Sequence, residues 1–232
     1  RARRAVVSNA VLWDTLKLLP EQFVPRRYRE LGAAMPTCPS FMHLHLGIDA
    51  AGLPPNLACH HLVVNDWERG ITAPQNVVAI SIPSLLDPSL APPGEHTIHV
   101  YTPATEPYEI WEGLDPRSDA YRNKKEQRAE VMWQALERLI PDARSRCDVT
   151  LIGTPLTHAR FLRRHRGTYG PAIAAGQGKF PGTRTPITGL LCCGDSSFPG
   201  IGLPAVAASG TIAANTLATV PQHLAMLNDI GL

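Results

Sequence analysis

The sequence predicts an α/β fold: a mixed or antiparallel sheet with helices, bracketed by parts of a second unit built on strand, glycine turn and helix. Three observations predict it. Strand-like segments at Ser40–Ile48, His61–Val64, Val77–Ile82 and His96–Thr102 follow one another across proline-rich turns with no helix between them, the order expected of antiparallel or mixed sheets. A long amphipathic segment, Asp119–Ile140, carries Ala129, Met132, Leu136, Leu139 and Ile140 on one stripe and RNKKEQR on its solvated side. The stretch Leu190–Leu217, LLCCGDSSFPGIGLPAVAASGTIAANTL, reads as a short buried strand, a Gly-Asp turn, a glycine-rich loop and a small-residue helix.

In chain order, Arg3–Asn9 alternates as a strand, opening almost directly from Arg1 as if the chain were entered mid-domain. Val11–Leu19 follows as a helix with Val11, Leu12, Leu16 and Leu19 on one side; Trp13 beside them is read as core in preference to a lipid contact. Pro20 and Pro25 break the chain around a short helix expected at Glu21–Glu30. Along Ser40–Ile48, Met42, Leu44, Leu46 and Ile48 face one way and Phe41, His43, His45 and Gly47 the other. Two histidines two apart on a strand have metal-ligand spacing. With no third ligand or acidic partner nearby in sequence, this pair, His60–His61 and His96/His99 are read as polar lining or surface, and no metal is expected. Val149–Ile152 returns as a strand, Pro155 starts a helix to about His165, and Gly167–Pro171 is a turn. Ala172–Pro186 is Gly/Pro-rich and poor in apolar mass, hence a loop or flap. A last short helix is expected near Gln222–Asp229.

The 232 residues suffice for one large domain or parts of two, and 44% apolar residues supply a core. With 22 basic against 20 acidic side chains the net charge is +2, too near neutral for a nucleic-acid partner. The basic run Arg160–Arg166 (RFLRRHR) reads first as a solvated helix face, and second as a contact for anionic headgroups or a cofactor phosphate. Five cysteines without C-x-x-C spacing argue against a disulfide framework or zinc knuckle and suit a reducing compartment. Cys192 and Cys193 are expected on the buried strand as small apolar residues. No apolar run reaches the ~18 residues of a membrane span, and no signal or transit peptide is read at the start.

The chemistry-bearing stretch begins where Gly194 and Asp195 end a strand, placing a carboxylate to accept hydrogen bonds from a ligand hydroxyl. Gly200 and Gly202 keep the loop free of side chains, so its amides can approach a ligand. Leu203, Pro204 and Ala205 open a helix whose first turn favours negative charge. A flavin uses all three: a partner for its ribityl chain, a slot for its ring and a positive field near N1.

CGDSSFPGIGLPAVAASG resembles the C-terminal flavin motif of the carotenoid cis–trans isomerases (prolycopene isomerases), close to bacterial-type phytoene desaturases and retinol saturases among the amine-oxidase-like flavoproteins. RRAVVSNAVLWDTLKLLP, SFMHLHLGIDAAGLPP, CHHLVVNDWE, SIPSLLDPSLAPPGEHTIHVYTP, IWEGLD and GTPLTHARFLRRHRGTYGP are similar to that family in the same order. The resemblance covers nearly the whole chain, as the family's C-terminal half.

It implies an amine-oxidase-like, Rossmann-type FAD-binding portion at 1–20 and 166–232, around a substrate domain at 21–165. It further implies FAD, reduced in the isomerase reaction, held by Gly194, Asp195, Gly200, Ile201, Gly202, Leu203, Pro204 and Ala205. Tyr169 is expected to line the polyene channel, and no catalytic acid or base is indicated. The implied partners are a carotenoid polyene and peripheral membrane lipid in a plastid. The family's G-x-G-x-x-G between strand and helix is not found here. Either an N-terminal half is missing or much of the flavin site has been lost. One alternative is a desaturase or saturase acting on a carotenoid or retinoid on the same scaffold; the other, raised by the absent fingerprint, is a non-catalytic scaffold or subunit of a membrane complex.

Overall fold

The computed structural model describes residues 2–231; Arg1, where the first strand was expected to open, lies outside them. In chain order come β1 (Val6–Ser8), α1 (Leu12–Lys17), α2 (Arg26–Ala34), β2 (Ser40–Asp49), β3 (His60–Val64), β4 (Val77–Ser81) and β5 (Glu95–Glu106). There follow α3 (Asp119–Glu137), β6 (Cys147–Gly153), α4 (Pro155–Phe161), β7 (Leu190–Cys192), α5 (Leu203–Leu217) and α6 (Val220–Asp229). The chain divides into two compact units, Pro39–Thr168 and the segments on either side of it. The class is α/β, as expected.

Pro39–Thr168 holds a five-stranded sheet in the order β3-β4-β5-β2-β6, with every neighbouring pair antiparallel. Of the two sheet types expected here, the antiparallel one forms. Alternation along β2 sends Met42, Leu44, Leu46 and Ile48 to one face, where they are essentially inaccessible beside Ile80, Val100 and Trp111. Helix α3 covers that face with Ala129, Met132, Trp133 and Leu136, and burying a side chain such as Leu136 is worth about 1.5–3 kcal/mol. The Ser118 hydroxyl caps α3 by accepting from the Tyr121 amide at 3.2 Å. The helix ends at Glu137, three residues before the expected end, because the Leu139 and Ile140 amides both turn back to the Leu136 carbonyl ahead of Pro141.

One buried charge is built into this core. The Glu106 carboxylate, fully buried, accepts two bonds from the Arg128 guanidinium (2.9 and 2.6 Å) and one from the Trp111 indole N–H (2.9 Å). The pairing is bidentate, the strong geometry for such a bridge. Helix α4 is shorter than the expected Pro155–His165: it stops at Phe161, and Arg163 and Arg166 take left-handed φ values of 53° and 48° that a helix cannot continue. The ends of this unit meet, the Ser40 hydroxyl donating to the Gly167 carbonyl at 2.8 Å.

In the other unit, β1 and β7 pair in parallel, Val6 opposite Leu190 and Ser8 opposite Cys192. A small core of Leu12, Val24 and Tyr28 is flanked by Trp13, Leu16 and Ile187. Helices α1 and α2 touch at Gly32, where a Cβ would lie 2.3 Å from the Leu16 side chain, and the Trp13 indole donates to the Gly32 carbonyl at 3.0 Å. The expected Glu21–Glu30 helix is split by Pro25 into a 3-10 turn at Glu21–Phe23 and α2. Cys192 ends β7 and Cys193 lies just beyond it, both half-buried; only Leu190 and Leu191 are fully buried on that strand.

Candidate functional site

Strand β7 delivers the chain into the loop Gly194–Gly202. Gly194 turns at φ 97°, and a Cβ there would strike the Asn9 side-chain oxygen at 2.4 Å. Its amide donates to the buried Ser209 hydroxyl of α5 at 2.5 Å, tying the turn to the helix that follows. Asp195, Ser196 and Ser197 are buried. The Leu12 amide donates to the Ser196 hydroxyl at 3.1 Å, and the Ser197 amide to the Gly194 carbonyl at 3.1 Å. The loop is therefore held on its inner side by α1, α5 and its own backbone.

Its outer side is bare. Phe198, Ile201 and Leu203 are exposed, Leu203 at 82%. Gly200 (φ 121°) packs on Phe180, whose ring a Cβ would meet at 3.0 Å. Gly202, at φ 106° and ψ 152°, precedes α5, and a Cβ there would meet no described atom within 4 Å. No side chain caps α5, and Pro204 occupies its first turn. Helix α5 itself buries only Ser209 and Ala213. Gly194, Asp195, Gly200, Ile201, Gly202, Leu203, Pro204 and Ala205 thus fall on one continuous strand–loop–helix element. Tyr169, half-buried, precedes Gly170 (φ 135°), where a Cβ would press on the Asp195 carbonyl at 2.8 Å; this brings the Tyr169–Gly170 backbone to the same loop.

Sequence reasoning gave no part in holding this loop to Asn9 and Phe180, which reach it from other segments, or to Ser209 in the helix that follows it. It also passed over a cavity of about 460 Å³ behind the loop, lined by Leu12, Tyr28, Leu31, Pro181, Cys192 and Ser197 among others. Burial raises the Tyr28 phenol and the neighbouring Cys192 thiol above their ordinary pKa values, so both are neutral.

A second cluster lies on the sheet. His43 and His45 share one face of β2, and antiparallel pairing sets His99 of β5 directly across from His45. The rings stack: centroids are 5.6 Å apart for His43–His45, 4.9 Å for His43–His99 and 4.5 Å for His45–His99, with planes within 13°. His43 Nδ1 and His99 Nε2 share a 2.6 Å hydrogen bond. Tyr101 stacks on His99 (4.7 Å) and Phe41 on His43 (5.5 Å), while His158 of α4 meets His43 edge-on at 4.8 Å. Burial, reinforced by the neighbouring histidines, lowers His43 to about 2 and His99 to about 4. His158 falls to about 4 through burial, aided by the Arg164 charge, and burial lowers His45 too. All four rings are neutral at physiological pH. Three other histidines of this unit have partners elsewhere: His60 approaches Cys59 Sγ at 3.7 Å, His61 binds the Ala58 carbonyl and His96 pairs with the Ser84 hydroxyl at 2.9 Å.

Compared with curated proteins, the chain is 41% identical over 220 residues to the prolycopene isomerase, chloroplastic, of Arabidopsis thaliana, and 39% identical over 218 residues to that of Daucus carota. The chain is similar to the plant prolycopene isomerases. These matches take in 93% and 92% of the chain but 36% and 35% of the relatives, so it spans about a third of the length of the prolycopene isomerases it matches. A weaker match, 26% identity over 161 residues, is to the neurosporene-forming phytoene desaturase of Rhodobacter capsulatus, covering 66% of the chain and 29% of that protein. No protein-family model matches the chain. Among solved structures, a Pyrococcus furiosus protein shares the fold, with a TM-score of 0.53 and 17% identity over 94% of this chain and 41% of its own. The prolycopene isomerase similarity covers both the glycine loop and the histidine-bearing strands, since it extends over nearly the whole chain.

Proposed function

We propose that this chain forms part of a flavin-dependent carotenoid cis–trans isomerase that turns poly-cis lycopene-type polyenes towards the all-trans form without net oxidation. The observation that carries this reading is the glycine loop running into the uncapped start of α5, bare on its outer side at Gly202. A flat ring with a charged edge needs such a place: backbone that can approach closely, and amides with no partner in the protein. The similarity to prolycopene isomerases supports the choice of reaction.

In this reading FAD lies along Gly194–Ala205. The Asp195 carboxylate would hold the ribityl chain, Gly200, Ile201 and Gly202 would seat the ring, and Leu203, Pro204 and Ala205 begin the helix whose partial positive charge would favour a reduced, anionic flavin. A reduced flavin held there would supply redox chemistry that balances: an electron lent to the polyene lowers one C=C bond order long enough for rotation and then returns, so that neither partner is consumed. The protein's part is positional. Gly194 and Ser209 fix the loop, Asn9 and Phe180 limit its movement, and the exposed Phe198, Ile201 and Leu203 shield the ring edge from water. Tyr169 lines the polyene path.

The substrate dissolves in lipid, so the enzyme works at a membrane surface of the plastid, as the chloroplastic relatives suggest. Among the described residues no helix is long and apolar enough to cross a membrane. The test is reconstitution of the polypeptide at its native length with reduced flavin and tetra-cis lycopene. All-trans pigment on chromatography is the expected result. An unchanged profile removes the isomerase reading, and conversion that consumes a quinone stoichiometrically indicates a desaturase.

A further inference from the structure

The sheet unit carries a group of ligands that the flavin reading leaves unused. His43 and His45 come from β2 and His99 from β5, and one ligand nitrogen from each lies within 4.8 Å of the other two. From these positions we infer that His43, His45 and His99 bind a divalent transition-metal ion of the zinc type. Two adjacent antiparallel strands fix the spacing, because residues two apart share a face and the cross-strand partner of His45 is His99. The backbone therefore presets the triangle, and only ring rotations remain.

The necessary movement is small. At Zn–N distances of 2.0–2.1 Å a tetrahedral ion sets its nitrogens roughly 3.3 Å apart, and His43 Nδ1 and His99 Nε2 are now 2.6 Å apart across a hydrogen bond. Widening this pair by under about 1 Å, by turning one ring, opens the seat. The accepting nitrogen offers its lone pair to the ion directly, and the donating nitrogen does so once its proton has moved through solvent to the other nitrogen of the same ring. His43 is nine-tenths buried, and its Nε2 has no hydrogen-bond partner, so hydrogen bonding does not account for this ring's full polar capacity.

The donor set selects the metal. Three imidazoles, with no carboxylate or thiolate in the group, suit zinc, copper or nickel and not magnesium or calcium. His158 is not counted as a ligand, because the Arg164 guanidinium acts on it and disfavours a further positive charge. Three protein ligands leave a fourth position open, and the exposed His45 marks the route of entry. What looked in the sequence like a pair lacking a third ligand acquires it from β5, more than fifty residues away.

The test is zinc titration of the chelator-treated 232-residue chain by calorimetry, with metal content measured after gel filtration. One zinc per chain is expected, weakened about 100-fold or more by either His45→Ala or His99→Ala. His60→Ala, outside the group, should bind as the parent does. Because His45 is exposed, His45→Ala should leave circular dichroism and the melting midpoint without metal unchanged, so loss of zinc is separable from loss of fold. Cobalt in place of zinc should give the intense visible bands of a low-symmetry imidazole site, absent in His99→Ala. Unchanged zinc content in the His45→Ala/His99→Ala double variant, or none in the parent, overturns the assignment. Flavin absorbance is read separately, so neither result depends on the other.

Discussion

Replacing Gly202 by alanine separates what the glycine loop does for the fold from what it does for a ligand. At φ 106° and ψ 152° Gly202 occupies a backbone region almost restricted to glycine, and an L-residue there costs about 1–3 kcal/mol. The added methyl group meets no described atom within 4 Å, so no steric cost is added to the strain. For a chain of this size each kcal/mol lowers the melting midpoint by about 2–4 °C, and Gly202→Ala should melt about 2–12 °C lower. The methyl projects into the space assigned to the flavin ring, so flavin affinity should fall about tenfold or more, at least 1.4 kcal/mol. Gly52→Ala is the control: φ is 72°, the space is equally open and the residue lies in the other unit. It should lose about 1–2 kcal/mol from the left-handed backbone and keep its flavin. The assay is thermal melting beside flavin-to-protein absorbance on the native-length polypeptide. Full flavin occupancy in a folded Gly202→Ala variant would refute the placement of the ring on this loop.

Other substitutions test the supports. Ser209→Ala removes the acceptor of the Gly194 amide inside the protein; denaturant unfolding should show a loss of about 1–3 kcal/mol, with weaker flavin retention in fluorescence titration. Arg128→Met strands the buried Glu106 carboxylate and should cost about 3–5 kcal/mol in urea unfolding. Adding Glu106→Leu should recover part of that loss, and a double variant no better than the single one would show that the pair was not the cause. Met132→Ala, at a fully buried position, should cost about 2–5 kcal/mol. Gly210→Ala, inside α5 with open space around its Cβ, should raise stability by about 0.8–1 kcal/mol; destabilisation would show that this face of α5 is covered in solution.

The sheet was legible because its period was. Along β2 the apolar residues alternate with Phe41, His43, His45 and Gly47, and the structure buries Met42, Leu44, Leu46 and Ile48 together. The stripe of α3 was read for the same reason. Helix ends were less legible, since they depend on local backbone: left-handed residues at 163 and 166 stop α4, and arginine carries no signal for that conformation. The Gly194–Ala205 element could be read as one continuous piece because its residues adjoin in sequence. Its anchors could not, as Asn9, Phe180 and Gly170 reach the loop from elsewhere. The histidine triangle was hidden by the same limit. Strand register decides that His99, and not His96, faces His45, and register is set by pairings that no single strand displays.

The pairing of β1 with β7 joins stretches about 180 positions apart, and so bears on the order of events during synthesis. About 130 of the intervening positions belong to a unit whose two ends are clasped by the Ser40–Gly167 bond. Once that inner body has formed, the slack between the two short strands shrinks more than threefold, easing their meeting by about 1 kcal/mol. The inner body should therefore mature first on the ribosome, and the unit that holds β1 and β7 should assemble only after the segment carrying β7 has emerged.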